Sequence, residues 1–166
     1  MALANKNPRI GTASNLATGG TYDILMITYP EGFPEGQIGF GFDVTPRKVT
    51  GIQKVAQLFM KLLVTTKGTD VIYTNRGTYF SVYTINANVI TEDQVLQSNL
   101  VAAVNDAASQ TKAALSTDQD PASRLEDVKI AGFSTTDESI MMYLQITTSA
   151  GIIAQVAVPF PQFGLI

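Results

Sequence analysis

Large apolar residues recur at helical spacing in two stretches of this chain, at strand spacing towards its end, and sparsely over residues 1–20. Ile52, Val55, Ala56, Phe59, Met60 and Leu63 fall at i, i+3, i+4, i+7, i+8 and i+11, the stripe of a helix laid on a core. Thr45 with Pro46, or Thr50 further on, would start it, and Gly68 lies just beyond its end, where a helix-stopping glycine belongs. A second helix opens at Thr91-Glu92-Asp93-Gln94, a capping-box pattern with acids at the positive end of the helix dipole. It runs to about Ser116 along Leu96, Leu100, Ala103, Ala107, Thr111 and Ala114. Its many alanines permit close approach, whether of another element of this chain or of a partner helix.

The period then changes from helical to alternating. Strands are predicted over 125–133, 140–148 and 152–158, with Ser149-Ala150-Gly151 as a hairpin connection. Ile140, Met142, Leu144 and Ile146 share one face of the second strand, and Ile152, Ala154, Val156 and Val158 one face of the third. Short extended segments are predicted at 24–27 and 38–42, separated by a loop rich in proline and glycine. Residues 1–20 read as an extended arm, unordered in the free protein, ahead of a single domain over 21–166. The fold class is α+β: two main helices packed on an antiparallel sheet that ends in a three-strand meander.

Composition narrows the chemistry. The chain has 166 residues, no cysteine and no histidine. Disulfides, thiolate metal sites, serine–histidine triads and histidine-held zinc are thereby excluded. Charged residues make up 15%, against about 25% in an average soluble domain, so part of the surface is expected to meet a partner. The net charge of −3 and the scattered bases argue against nucleic acid, and no apolar run is long enough to span a membrane. No cofactor is expected.

Candidate chemistry is thin. Glu31 and Glu35 share one loop, but a glycosidase pair needs carboxylates held at a fixed separation, and a Pro/Gly loop reads as solvated. Asp118, Asp120, Glu126 and Asp127 lack the ligand pattern of a calcium loop and read as incidental surface charge. Arg76 and Arg124 are candidate partner contacts, each offering a fork of donors. The third strand is the last and is expected at a sheet edge. Pro159 and Pro161 flank Phe160 and are expected to end its ladder. Phe160 and Phe163 of the tail beyond it either fold back on the core or, with that strand, await a partner strand.

One stretch carries a resemblance. Leu62-Leu63-Val64-Thr65-Thr66-Lys67-Gly68, then residues 69–76, then Gly77-Thr78-Tyr79-Phe80 resemble the lysozyme-like baseplate wedge, or tail sheath initiator, family of contractile phage tails. The threonine-to-glycine and glycine-to-glycine spacings match, and helix and strand order extends the likeness over roughly residues 38–158. The family's Glu-Arg after the first glycine is Thr69-Asp70 here, its proline before the second is Thr74, and its Glu-Pro-Arg motif becomes Asp120-Pro121-Ala122-Ser123-Arg124. The resemblance implies a scaffold with no enzymatic activity, bound by wedge subunits through Asp120, Pro121 and Arg124. It further implies a sheet presented to the tail sheath protein, tail tube or hub proteins as further neighbours, and a place in the virion after assembly in the host cytoplasm. A peptidoglycan hydrolase using Glu31 or Glu35, and an α+β adaptor unrelated to phages, are the competing readings.

Overall fold

The computed structural model describes residues 23–24, 27–28, 39–40, 48–85, 93–135 and 139–161. Two short antiparallel pairs come first: β1 (Asp23–Ile24) with β4 (Lys48–Val49), and β2 (Ile27–Thr28) with β3 (Gly39–Phe40). Helix α1 (Gly51–Val64) follows, then α2 (Phe80–Ile85) and α3 (Asp93–Ala114). After a 3-10 turn at Pro121–Ser123 the chain forms β5 (Leu125–Thr135), β6 (Ser139–Thr148) and β7 (Ile153–Pro161), an antiparallel meander with β6 in the middle. The fold is α+β, as the sequence pattern indicates. The arm over 1–20, Glu31, Glu35 and Phe163 lie outside the described residues.

Helix α1 is the centre of the molecule. Val55, Phe59, Met60 and Leu63 are buried as the stripe requires, but Gln53, Lys54 and Gln57 are buried too, and only Lys61 is exposed. The reason is that α1 is covered on several sides, by α3, by the 3-10 turn and by the sheet. The polar side chains that end up inside find partners. Gln57 Nε2 donates to Asp23 Oδ2 of β1 at 3.0 Å, and Lys54 Nζ to Asp118 Oδ2 at 2.5 Å. Each fully buried large apolar side chain here contributes about 1.5–3 kcal/mol.

Helix α3 packs on α1 and β5, burying Leu100, Ala103, Val104, Ala107 and Thr111, with Leu115 buried just beyond its end. Ala114 is exposed, contrary to the expected stripe, because 3.6-residue periodicity carries the buried line from Thr111 to Leu115 instead. Met142, Leu144 and Ile146 of β6 form the middle of the core, facing Val158 and Val156 across to β7. On β5 the residues set opposite the even-numbered positions of β6 are Leu125, Val128, Ile130 and Phe133, spaced three, two and three apart; the first three pack in or against the core, while Phe133 is exposed. Register shifts between Leu125 and Asp127 and between Ile130 and Gly132 absorb the extra residues as bulges.

β7 does not stop at its prolines. Its register with β6 runs through Met141↔Pro159, Ile140↔Phe160 and Ser139↔Pro161. The hairpin bond from Thr148 N to Ile152 O, 2.9 Å, sets the parity. Even-numbered residues of β7 turn their backbone groups to β6, and odd-numbered ones turn theirs to the outer edge of the sheet formed by the described residues. Both prolines are odd-numbered, so their missing N–H groups take nothing from the ladder.

Candidate docking surfaces

Of the residues singled out in the sequence, Asp120, Pro121 and Arg124 lie by the N-terminal end of α1 and Arg76 beyond its C-terminal end. At its N-terminal end, Asp120 begins the 3-10 turn: Oδ1 accepts from Ala122 N at 3.0 Å and Oδ2 from Ser123 Oγ at 3.0 Å. Ser123 Oγ in turn accepts from Gly51 N at 3.0 Å, so a carboxylate is relayed onto the positive end of α1. Thr50, the helix's own cap residue, makes no side-chain capping bond. Asp120 is therefore an internal strut. Pro121 occupies the first position of the turn and is exposed. Arg124 closes the turn through its backbone, with N donating to Pro121 O and O accepting from Ser149 N, while its buried Nε has no partner among the described residues. Asp118 is no surface charge either: it is buried against Lys54, with side-chain exposures of 4% and 11%.

The strand surface is also rearranged. Ala154, Val156 and Val158 lie on the core-facing side of β7, where Val158 is only 3% exposed and Ala154 and Val156 are half-buried, so this face is used at least in part within the chain. The reason is register: each sits opposite an inward residue of β6, namely Ile146, Leu144 and Met142. Ile152 precedes β7, is bonded to Thr148 through both backbone groups, and is exposed beside Ile153 at the tip of the hairpin. At the outer edge of the described sheet, Ile153, Gln155 and Ala157 carry outward N–H and C=O groups, while Pro159 and Pro161 offer carbonyls alone. Phe160 is paired through its backbone with Ile140.

Beyond the C-terminus of α1 lies a loop from which the sequence pattern singled out Arg76 but not the apolar residues before it. Its base is a frame. Thr66 and Thr78 form a parallel bridge, Thr78 N donates to Thr65 O at 2.8 Å, and Lys67 N donates to Thr78 O at 3.0 Å. Three of the last four carbonyls of α1 are satisfied from this region: Lys61 O by Thr65, Leu63 O by Thr78 Oγ1 and Val64 O by Ser81 Oγ. Gln110 of α3 clamps Gly77 from both sides, accepting from its N at 3.0 Å and donating to its O at 2.9 Å. Gly68 and Gly77, at φ 89° and 91°, make the two reversals. A Cβ on Gly77 would lie 2.2 Å from Thr65 O.

From this frame projects an apolar tip. Val71, Ile72 and Tyr73 are 94%, 81% and 54% exposed. Asp70 Oδ1 accepts from Ile72 N and Tyr73 N, each at 3.0 Å, and Arg76 N donates to Tyr73 O at 2.9 Å. The Arg76 guanidinium lies 4.1 Å from the centre of the Tyr73 ring, a cation–π contact. The Tyr73 amide is the main influence holding the Asp70 carboxyl below its usual range, against some desolvation and with help from Ile72 N, Arg76 and Lys61. The available signal was three apolar residues in a row inside a turn-rich segment between two glycines.

Among the described residues no group of three or more acids is placed to hold a metal ion, and no helix is long and apolar enough to cross a membrane. No family model matches the chain, and neither a curated protein nor a solved structure matches it.

Proposed function

We propose that this chain is a structural baseplate wedge protein of a contractile phage tail, linking wedge subunits to the tail sheath and initiating sheath assembly. The observation that carries this reading is the framed loop after α1. The nine-residue glycine spacing on which the resemblance rests coincides with two positive-φ reversals, Gly68 and Gly77, that close the frame and project an ordered apolar tip. An exposed apolar surface of this kind marks an interaction site in proteins that assemble. The order of a buried helix, a framed loop, a long helix and a meander supports the same reading. On this reading the chain has no enzymatic activity, needs no cofactor, binds neither nucleic acid nor membrane, and resides in the virion.

The test is made in cells that produce the particle. Antibody against the chain should label purified tails at the baseplate, and deletion of its gene should leave baseplates without sheath. Intact contractile tails lacking the chain would overturn the proposal. Clearing of a peptidoglycan suspension by the purified chain, abolished by Glu31→Gln with Glu35→Gln, would favour the hydrolase instead.

A further inference from the structure

We infer that Val71, Ile72 and Tyr73 form a rigid finger that inserts into an apolar pocket with an acidic rim on another protein subunit of the assembly. The inference rests on the reading of the chain as an assembly component, and it adds a site and the chemistry of its partner.

A chain seldom leaves three contiguous apolar residues this exposed, and here folding does nothing to hide them. The segment is instead held outward. Asp70 binds the Ile72 and Tyr73 amides, Arg76 returns to Tyr73 through both its backbone and its guanidinium, and Gln110 fixes the base. Order set before contact lowers the entropy cost of binding. Tyrosine and arginine, stacked on one another here, are the residue types that dominate interface energetics.

The shape selects the partner's shape. A flat partner would touch only the apex, a small fraction of the ~20–30 residues a side that a standard interface uses. A pocket that encloses the tip reaches all three side chains. The charge selects the rim. Lys61 and Arg76 stand beside the tip, and neither forms an ion pair among the described residues; Lys67 is shared with Asp106 at 3.6 Å. In a chain of net charge −3 this collar is cationic, so acidic groups around the pocket complement it. A bilayer is the poorer fit. Asp70 sits at the root of the tip and stays ionised, and insertion would carry its charge towards hydrocarbon.

The absence of cysteine makes the test direct, since Ile72→Cys introduces one thiol. Full-length protein with that substitution is reacted with a polar maleimide as the free chain and within native complexes from producing cells. The reaction should be at least about tenfold slower in the complex, and Ile72→Asp should lower incorporation by a similar factor with an unchanged melting temperature. Arg76→Glu should also lower incorporation. Reaction at the free-chain rate in the complex, normal incorporation of Ile72→Asp, or recovery of the chain only as a free monomer would each overturn the inference. So would equal protection by phosphatidylglycerol vesicles, or by concentrating the chain alone. Protection within a complex that contains neither wedge subunits nor sheath protein would retain the finger and refute the baseplate reading.

Discussion

The backbone N–H of Gly51 donates to the hydroxyl of Ser123, 72 residues further along the chain and 3.0 Å away. The first turn of α1 is thus capped by a distant segment, with Asp120 behind the serine. Ser123 is fully buried. Ser123→Ala should cost about 1–3 kcal/mol, since it leaves the part-buried Gly51 amide without its acceptor and removes one of the two donors to Asp120. Urea unfolding followed by far-ultraviolet circular dichroism measures this; an unchanged midpoint would show that the cap is idle.

The Lys54–Asp118 pair makes a second prediction. Lys54→Met removes one partner of a buried ion pair and should destabilise by about 3–5 kcal/mol. Replacing both residues, Lys54→Met with Asp118→Leu, should restore part of that loss, because no lone charge then remains inside. Thermal melting of the two single variants and the double variant checks the order.

The two glycines of the frame differ in what surrounds them. Gly68→Ala meets open space and should lose only the strain of its backbone conformation, about 1–3 kcal/mol. Gly77→Ala adds a clash with Thr65 O and should cost more, with faster amide exchange at Thr78. Equal losses at the two positions would mean that the frame relaxes freely.

The tip should be sensitive to acid and to nothing nearer neutrality. Hydrogen bonds from the Tyr73 and Ile72 amides, with Arg76 and Lys61, depress the Asp70 pKa. Its contribution to order is therefore complete above the ordinary aspartate range and is lost as pH falls through the depressed value. Amide exchange at Ile72 and Tyr73, corrected for intrinsic rates, should be flat from pH 7 to about pH 5 and lose protection only in stronger acid. Loss of protection near neutrality would exclude Asp70 as the anchor.

The prolines of β7 give the last prediction. Both face the outer edge of the described sheet and withhold donors there. Pro159→Val with Pro161→Val should make that edge a template for pairing and raise concentration-dependent self-association. Sedimentation velocity would register it, and a monomeric double variant would show the edge to be protected by other means.

Much of the architecture was legible because burial follows period. The α1 stripe and the alternation of β6 read directly, since Met142, Leu144 and Ile146 lie inward at spacing two. β5 reads less cleanly because two bulges shift its inward residues to spacing three. Asp118 looks like surface charge in a linear chain because its partner Lys54 is brought to it only by the tertiary fold, and Asp120 does because the Gly51 amide that its neighbour Ser123 accepts from lies 72 residues from that serine. Prolines that seem to end a strand are harmless at alternate positions on an outer edge, and strand order is not written in local pattern. The tip at Val71, Ile72 and Tyr73 carries an ordinary apolar signature, and only the fold reveals that the signature faces outward.

The fastening of α1 at both ends bears on how the chain is made. Its C-terminal carbonyls wait for Thr78 and Ser81, and its first amide waits for Ser123. During synthesis the helix that will become the centre emerges long before its distant cap, and β6 and β7, which it packs against, emerge later still. Contacts of such long sequence separation slow folding and hold back completion of the core until β6 and β7 have been made. A ribosome stalled ahead of residue 123 would hold an unfinished core, leaving its apolar surface to chaperones until the meander arrives.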